Sequence, residues 1–252
     1  MKTACRQIFG GAFLPHYTLH WKGPAPDPEL RMAEDLNGIY ARRGCRASGP
    51  IYAMFRDLAQ NPADRWWMKQ NCLRYDVTVI PPRKLCGEYV KTKGHYHPLN
   101  ENRCGYPEIY AVLNGKAHYL LQREDLTDAV LVEAGKGDVV VVPPGYGHVT
   151  INPLQDEVLE MANIVSSRFS SNYAGYEEHR GALYYEMDTG EFRKNRAYDR
   201  HPHLRFVQAR RIHERAALLP GPLYDLIGKR APVLEFLNFP EQYQSRFAGL
   251  YP

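Results

Sequence analysis

An all-β fold, a sandwich or barrel of short strands, is the class this sequence predicts, and three observations predict it. From residue 73 onward β-branched and aromatic residues gather in short runs separated by turn residues. Pro81-Pro82 and Gly135-Lys136-Gly137 punctuate the runs, and Asn114-Gly115 between two apolar runs is a hairpin signal. His95 and His97 alternate in one strand-like stretch, so they share a face and can point together into the interior of a barrel.

In chain order, residues 1–50 read as an irregular extension packing on the main body. A helix is expected to start at Asp27-Pro28-Glu29, where an acid precedes Pro in the first turn; Leu30, Ala33 and Leu36 give it one apolar face and Gly38 stops it. Pro50–Phe55 reads as an early strand. The barrel proper, 51–195, takes its strands from 73–80, 88–92, 109–113, 117–122, 129–132, 139–142 and 158–165. A hairpin across Asp188-Thr189-Gly190 follows, joining 183–187 to 191–193. Residues 196–252 form a C-terminal extension with short helices near 223–227 and 241–247.

With 252 residues, 44% of them hydrophobic, the chain can bury one sizeable core. The 32 basic and 28 acidic side chains are scattered, and the net charge of +4 comes without the basic run of a nucleic-acid tail. No stretch has the length of a membrane span or the apolar core of a signal peptide, so neither nucleic acid nor membrane is an expected partner and the cytoplasm is the expected compartment. The five cysteines, odd in number and without a Cys-x-x-Cys pair, read as reduced thiols, consistent with that compartment.

The chemistry concentrates in Lys91-Thr-Lys-Gly-His-Tyr-His-Pro98, answered by Glu108 and His148. Three imidazoles and a carboxylate form a donor set for a divalent first-row metal if the fold brings them together. Their spacings resemble the two cupin motifs: His95-x-His97 with Glu108 and Gly115, then Gly137-x5-Pro143-x-Gly145-x2-His148-x3-Asn152. The second motif is complete. The first departs from the pattern in having Tyr89 at its start, where a glycine is usual, and ten residues between His97 and Glu108. His16, His20, His118, His179, His201, His203 and His213 lack ligand spacing and read as surface or packing residues. Trp66-Trp67 reads as packing or a dimer contact.

Within the cupins, a single jelly-roll β-barrel fold, the chain resembles the archaeal-type (cupin) glucose-6-phosphate isomerases. The marks are Leu36-Asn-Gly-Ile-Tyr-Ala-Arg42, Tyr89-Val-Lys-Thr-Lys-Gly-His-Tyr-His97, Pro107-Glu-Ile-Tyr-Ala-Val-Leu-Asn-Gly-Lys-Ala117 and Val140-Val-Val-Pro-Pro-Gly-Tyr-Gly-His148. The resemblance implies a homodimer acting on a phosphorylated hexose, glucose 6-phosphate or fructose 6-phosphate, with one divalent metal per subunit. Fe2+ is the expected ion, with Mn, Ni, Co or Zn as alternatives. Carried over, the metal ligands are His95, His97, Glu108 and His148, and the phosphate and sugar contacts are Tyr52, Thr78, Thr92, Gly94, Tyr110 and Tyr173. Ser171 or Asn172 stands where the family has a His.

A metal that polarises the sugar's two oxygens serves either an enediol route, with Glu108 as the base, or a direct hydride shift. The donor set leaves two other functions open: an Fe-dependent dioxygenase, tested by oxygen uptake, and a non-enzymatic sugar-phosphate binder, tested by binding without turnover. One geometric problem also stands. In an unbroken strand Thr92 and Gly94 face away from His95 and His97, and one shared pocket requires a bulge or kink near Gly94.

Overall fold

The computed structural model describes residues 17–210, 222–229 and 233–251. Two packed sheets form the body. The larger has six strands: β1 (Glu29–Met32), β2 (Pro50–Phe55), β3 (Leu73–Ile80), β6 (Glu108–Asn114), β9 (Val139–Val142) and β11 (Leu159–Ser166), in the spatial order β1-β2-β3-β11-β6-β9. The smaller is β10-β7-β8-β14, from β7 (Lys116–Arg123), β8 (Ala129–Gly135), β10 (Tyr146–Ile151) and β14 (Leu204–Gln208). A short hairpin, β4 (Lys84–Leu85) with β5 (Glu88–Tyr89), leads into the histidine stretch. The predicted hairpin near Gly190 forms from β12 (Tyr184–Glu186) and β13 (Phe192–Lys194). Neighbouring strands are antiparallel except β14, which runs parallel to β8. This is the all-β jelly-roll sandwich that the strand pattern and cupin motifs predict.

Period-2 alternation sorts the larger sheet. Leu159 to Ser166 on β11 are all buried, yet Met161, Asn163 and Val165 face the space between the sheets and Ala162 and Ile164 face the opposite side. Ile51, Ala53 and Phe55 on β2 likewise pack away from that space, whereas Tyr52, Met54 and Arg56 line it. The cavity wall thus takes every second residue of these strands, and Tyr52, Arg56 and Asn163 are its polar members here.

Several expectations are corrected. The stretch after Asp27 is strand β1 and then a 3-10 turn, Ala33–Leu36, instead of a helix. Backbone pairing with β2 satisfies Glu29 to Met32, and edge pairing outweighs the weak propensity of a three-turn helix. Ala33 and Leu36 are buried as expected and Gly38, at φ +96°, ends the turn, but Leu30 is 43% exposed. Asn114-Gly115 is not a hairpin: β6 and β7 belong to different sheets, and the dipeptide turns the corner between them. Gly115 has φ +77°, and a side chain there would meet the Val158 carbonyl at 2.7 Å. A helix absent from the sequence reading, α1 (Pro62–Gln70), starts where Asn61 accepts from the Asp64 N–H with Pro in its first turn. It carries Trp66, 64% exposed, and Trp67, which packs on the core. The segments read as extensions, 1–50 and 196–252, each supply one outer strand, β1 and β14.

Cys45 and Cys86 form a disulfide, which corrects the expectation of reduced thiols for two of the five; Cys72 and Cys104 are free, and Cys5 lies outside the described residues. Sequence spacing hid the pair, since 41 residues separate it and the loop 38–46 folds back onto the β4-β5 hairpin. Closing a loop of that length stabilises by about 4 kcal/mol in the chain-entropy account. Guanidinium unfolding with and without reductant should differ by up to about that much, and the Cys45→Ser/Cys86→Ser variant should not respond to reductant. Equal stability in both conditions would contradict the pairing. No helix among the described residues is long and apolar enough to cross a membrane.

Candidate metal and anion site

A cavity of about 540 Å³ lies between the sheets. The larger sheet contributes Glu108 and Tyr110 from β6, Asn163 from β11, Thr78 from β3 and Tyr52 from β2. The smaller contributes His148 and Thr150 from β10. The Lys91–Pro98 stretch runs along the free edge of β10, where His95 and His148 exchange backbone hydrogen bonds.

That edge resolves the parity problem. Lys91 pairs with Ile151 and His95 with His148, so four residue steps on one side answer three on the other. The extra residue is a β-bulge, and it returns Thr92 to the same side as His95 and His97. The Thr92 hydroxyl accepts from the Thr150 N–H at 2.9 Å and pins the bulge. Gly94 serves this geometry and does not line the cavity, which corrects its assignment as a substrate contact. A Cβ there would lie 2.2 Å from the Tyr176 ring and 2.7 Å from Val149 Cγ2, and Tyr176 is fully buried. Gly94→Ala is therefore expected to cost roughly 1–3 kcal/mol or more by overpacking. That lowers the thermal midpoint by about 2–4 °C per kcal/mol, measurable by calorimetry. An unchanged midpoint would show that the backbone can move freely here.

At the inner end of the cavity the ligand atoms of His95, His97, Glu108 and His148 all lie within 4.8 Å of one another. His97 Nε2 is 3.3 Å from His95 Nε2 and 3.3 Å from Glu108 Oε2, and His148 Nε2 is 3.5 Å from the same oxygen. His97 Nδ1 lies 2.8 Å from the Tyr106 carbonyl, and His95 Nδ1 lies 3.5 Å from the Lys93 carbonyl. A carbonyl only accepts, so these contacts place the ring protons on Nδ1 and turn the Nε2 lone pairs of both rings toward each other. Two facing lone pairs beside a carboxylate oxygen suit a shared cation. Desolvation and the neighbouring His97 lower the His95 pKa to about 3, and desolvation lowers that of His148 well below its ordinary value, so both rings stay neutral and able to ligate. The donor set fits a divalent first-row ion.

The long loop before Glu108 does not displace it. Asn100 closes the loop on Cys104, and Asn100 and Asn102 both donate to Glu241 of the C-terminal segment. The returning chain supplies the Tyr106 carbonyl that orients His97, and Phe169 packs on both rings at 4.5 and 4.8 Å. Asn163 holds Glu108 Oε1 at 2.7 Å, leaving Oε2 toward the histidines. Tyr110 reaches His148 Nε2 at 3.0 Å, which places it beside the ligands. Burial and the Glu108 carboxylate hold its phenol well above the ordinary value, so it remains a donor.

Two cations, Arg31 and Lys93, also line the cavity. The Tyr52 hydroxyl accepts from the Lys93 N–H at 3.2 Å, Lys93 Nζ lies 5.0 Å from the Tyr173 ring centre, and Arg31 lies 6.0 Å from the same ring. Arg31 Nε and Thr150 Oγ1 are buried with no hydrogen-bond partner, an arrangement that favours an anionic or hydroxyl-rich ligand. Ser171 lines the cavity, whereas Asn172 spends its backbone on pairing with Tyr96. Of the residues predicted from sequence, the cavity brings together all but Gly94. Sequence reasoning missed Arg31, Thr150 and Asn163. Asn163 was detectable as the one amide within the apolar run of β11, but Arg31 was hidden by the expected helix. Two histidines read as surface or packing are carboxylate-bound: buried His118 contacts Glu186 at 2.8 Å, and His20 contacts Glu160 at 2.8 Å. His16 and His213 lie outside the described residues.

Residues 30–203 match the model of the family described as Glucose-6-phosphate isomerase (GPI). Over 84 residues, 33% of this chain, the sequence is 38% identical to glucose-6-phosphate isomerase of Thermococcus litoralis and 37% identical to that of Pyrococcus furiosus. The alignment spans 42% of each relative. A solved structure described as a predicted oxalate decarboxylase from Thermotoga maritima overlaps 54% of this chain and 89% of its own, at 20% identity and a TM-score of 0.33. The family match covers well over half of the chain and includes every residue lining the cavity except Glu29. The chain belongs to the glucose-6-phosphate isomerase (GPI) family.

Proposed function

We propose that this chain interconverts glucose 6-phosphate and fructose 6-phosphate with a divalent metal held by His95, His97, Glu108 and His148. The observation that carries the reading is one cavity lined both by the four candidate metal donors and by Arg31 and Lys93. A sugar phosphate has the matching polarity, with a dianion at C6 and a carbonyl and hydroxyl at C1 and C2.

Arg31, Lys93 and the Tyr52, Thr92 and Tyr173 hydroxyls bind the phosphate by charge-assisted hydrogen bonds. The sugar's C1–C2 end then lies against Glu108. The bound metal supplies Lewis-acid polarisation of the sugar oxygens. In the enediol route the Glu108 carboxylate takes the proton from C2 and returns it to C1, while Asn163 keeps it from rotating. Tyr110 offers its O–H to a sugar oxygen that gains charge. Deuterium entering the transferred carbon in deuterated water supports this route, and complete retention of substrate hydrogen supports a hydride shift.

Lys93 forms an ion pair with Glu177 at 2.5 Å, so it is positioned before substrate arrives. Lys93→Met is expected to raise KM for fructose 6-phosphate about tenfold with a smaller change in kcat, as loss of one charge-assisted contact would. An unchanged KM would remove Lys93 from the phosphate site. The function itself is tested by a coupled assay on metal-loaded protein. Turnover of fructose 6-phosphate but not of fructose supports it; metal-dependent binding without turnover would contradict it. A homodimer in the cytoplasm belongs to the same reading, and a monomer in sedimentation at working concentration would count against the dimer.

A further inference from the structure

A second cavity, of about 500 Å³, has no lining residue in common with the first. It is formed by the loop that begins at Gly38, by Tyr185 on β12, and by the turn at 194–197. Arg42, Arg43, Arg180, Lys194 and Arg196 surround it, and no acidic side chain lines it. All five cations are exposed, and none forms an ion pair among the described residues. Converging like charges without a counter-ion repel one another and focus a positive potential into the cavity.

A second observation points the same way. Tyr40 lines this cavity, is only 5% exposed, and its hydroxyl is buried with no hydrogen-bond partner. Glu88, the carboxylate that acts most strongly on the Tyr40 phenol, is already committed to Lys91 Nζ at 2.5 Å and to the Ala41 N–H at 2.6 Å. Lys91 Nζ lies 5.4 Å from the Tyr40 ring and 5.0 Å from the Tyr185 ring, which fixes both rings from behind. A buried donor without a partner, on a residue that lines a cationic cavity, suits a ligand that brings several acceptor oxygens.

We propose that this cavity binds the pyrophosphate group of a small anionic ligand, with the Tyr40 hydroxyl as the buried donor and the five cations as counter-charges. One phosphate dianion neutralises too little of this charge. A volume of about 500 Å³ lies within the range of small-molecule sites, roughly 300–1,000 Å³, and holds either free pyrophosphate or the diphosphate of a nucleotide. The inference stands independently of the sugar-phosphate reading, because it uses different residues and a different cavity.

The test is calorimetric titration of the full chain with inorganic pyrophosphate and, separately, with ADP, at about 0.15 M salt and with fructose 6-phosphate saturating throughout. Binding at one site per chain is expected. Arg43→Ser/Arg196→Ser should weaken it by at least about tenfold, and Tyr40→Phe by about three- to tenfold, while Arg200→Ser, exposed elsewhere, leaves it unchanged. Tighter ADP identifies a nucleotide as the source of the diphosphate; equal or weaker ADP identifies free pyrophosphate. Thermal midpoints of the variants matching the wild type show that the fold is intact. The proposal is overturned by absence of binding to both probes, or by Arg200→Ser weakening it as much as the double variant does.

Discussion

Replacing His148 with Ala is expected to lower turnover of fructose 6-phosphate by roughly a thousandfold or more, since a polarising metal supplies several kcal/mol and each 1.36 kcal/mol is tenfold in rate. His148 is 2% exposed, lies in the middle of β10 and sits 3.5 Å from Glu108 Oε2, so its loss removes a donor that no neighbour can replace. Metal content measured by mass spectrometry should fall in parallel with activity. His95→Ala should behave alike. Removal of metal from the wild type by a chelator should reproduce both losses and be reversed by adding the ion back. The fold should survive the substitution, because β10 is held by its register with β7 along Tyr146 to Ile151. Wild-type kcat in His148→Ala at reduced metal content would separate the cluster from the chemistry.

Glu108→Gln is expected to cost about 10²–10⁴-fold in kcat, the range for removing a positioned general base, with a smaller effect on KM. The amide keeps the shape and can still contact Asn163, so the change isolates the proton-transfer role better than Ala would. Residual turnover in deuterated water distinguishes the routes. Loss of both turnover and deuterium incorporation, with sugar-phosphate binding and bound metal retained, assigns the proton transfer to Glu108. Turnover within about tenfold of wild type would mean that Glu108 acts as a ligand or scaffold and that hydrogen moves by another path.

The candidate metal ligands were legible in the sequence because each obeys a short-range rule. His95 and His97 alternate, and His148 sits within a complete motif. Glu108 opens an apolar run, so the ten residues before it could fold into a loop without shifting its register. Tyr52, Thr78 and Tyr110 emerged where expected because the strands that carry them keep period-2 alternation along their length. Gly94 and Thr92 show where such rules stop. Counting alone puts Thr92 on the wrong face, and only the pairing of Lys91 with Ile151 and His95 with His148 reveals the extra residue. Gly94 is a glycine because Tyr176 lies against it, a contact across 82 residues of sequence that no local pattern encodes. Arg31 was lost for a different reason: an acid and a proline before three spaced apolar residues resemble a helix start, whereas the edge of β2 offered those residues a better set of hydrogen bonds. The Cys45–Cys86 pair and the corner at Gly115 likewise depend on which segments lie together, which strand propensity does not specify.

The central claim is that one divalent cation, held by His95, His97, Glu108 and His148, sustains isomerisation in this cavity. Its most direct test is a titration of metal-stripped protein with Fe2+, Mn2+, Ni2+, Co2+ or Zn2+, reading bound metal and fructose 6-phosphate turnover from the same samples. With at least one of these ions, turnover should rise in proportion to bound metal and level off at one equivalent per chain, with no such rise in His95→Ala. Full turnover in the stripped protein, or an unaltered titration in His95→Ala, would contradict it.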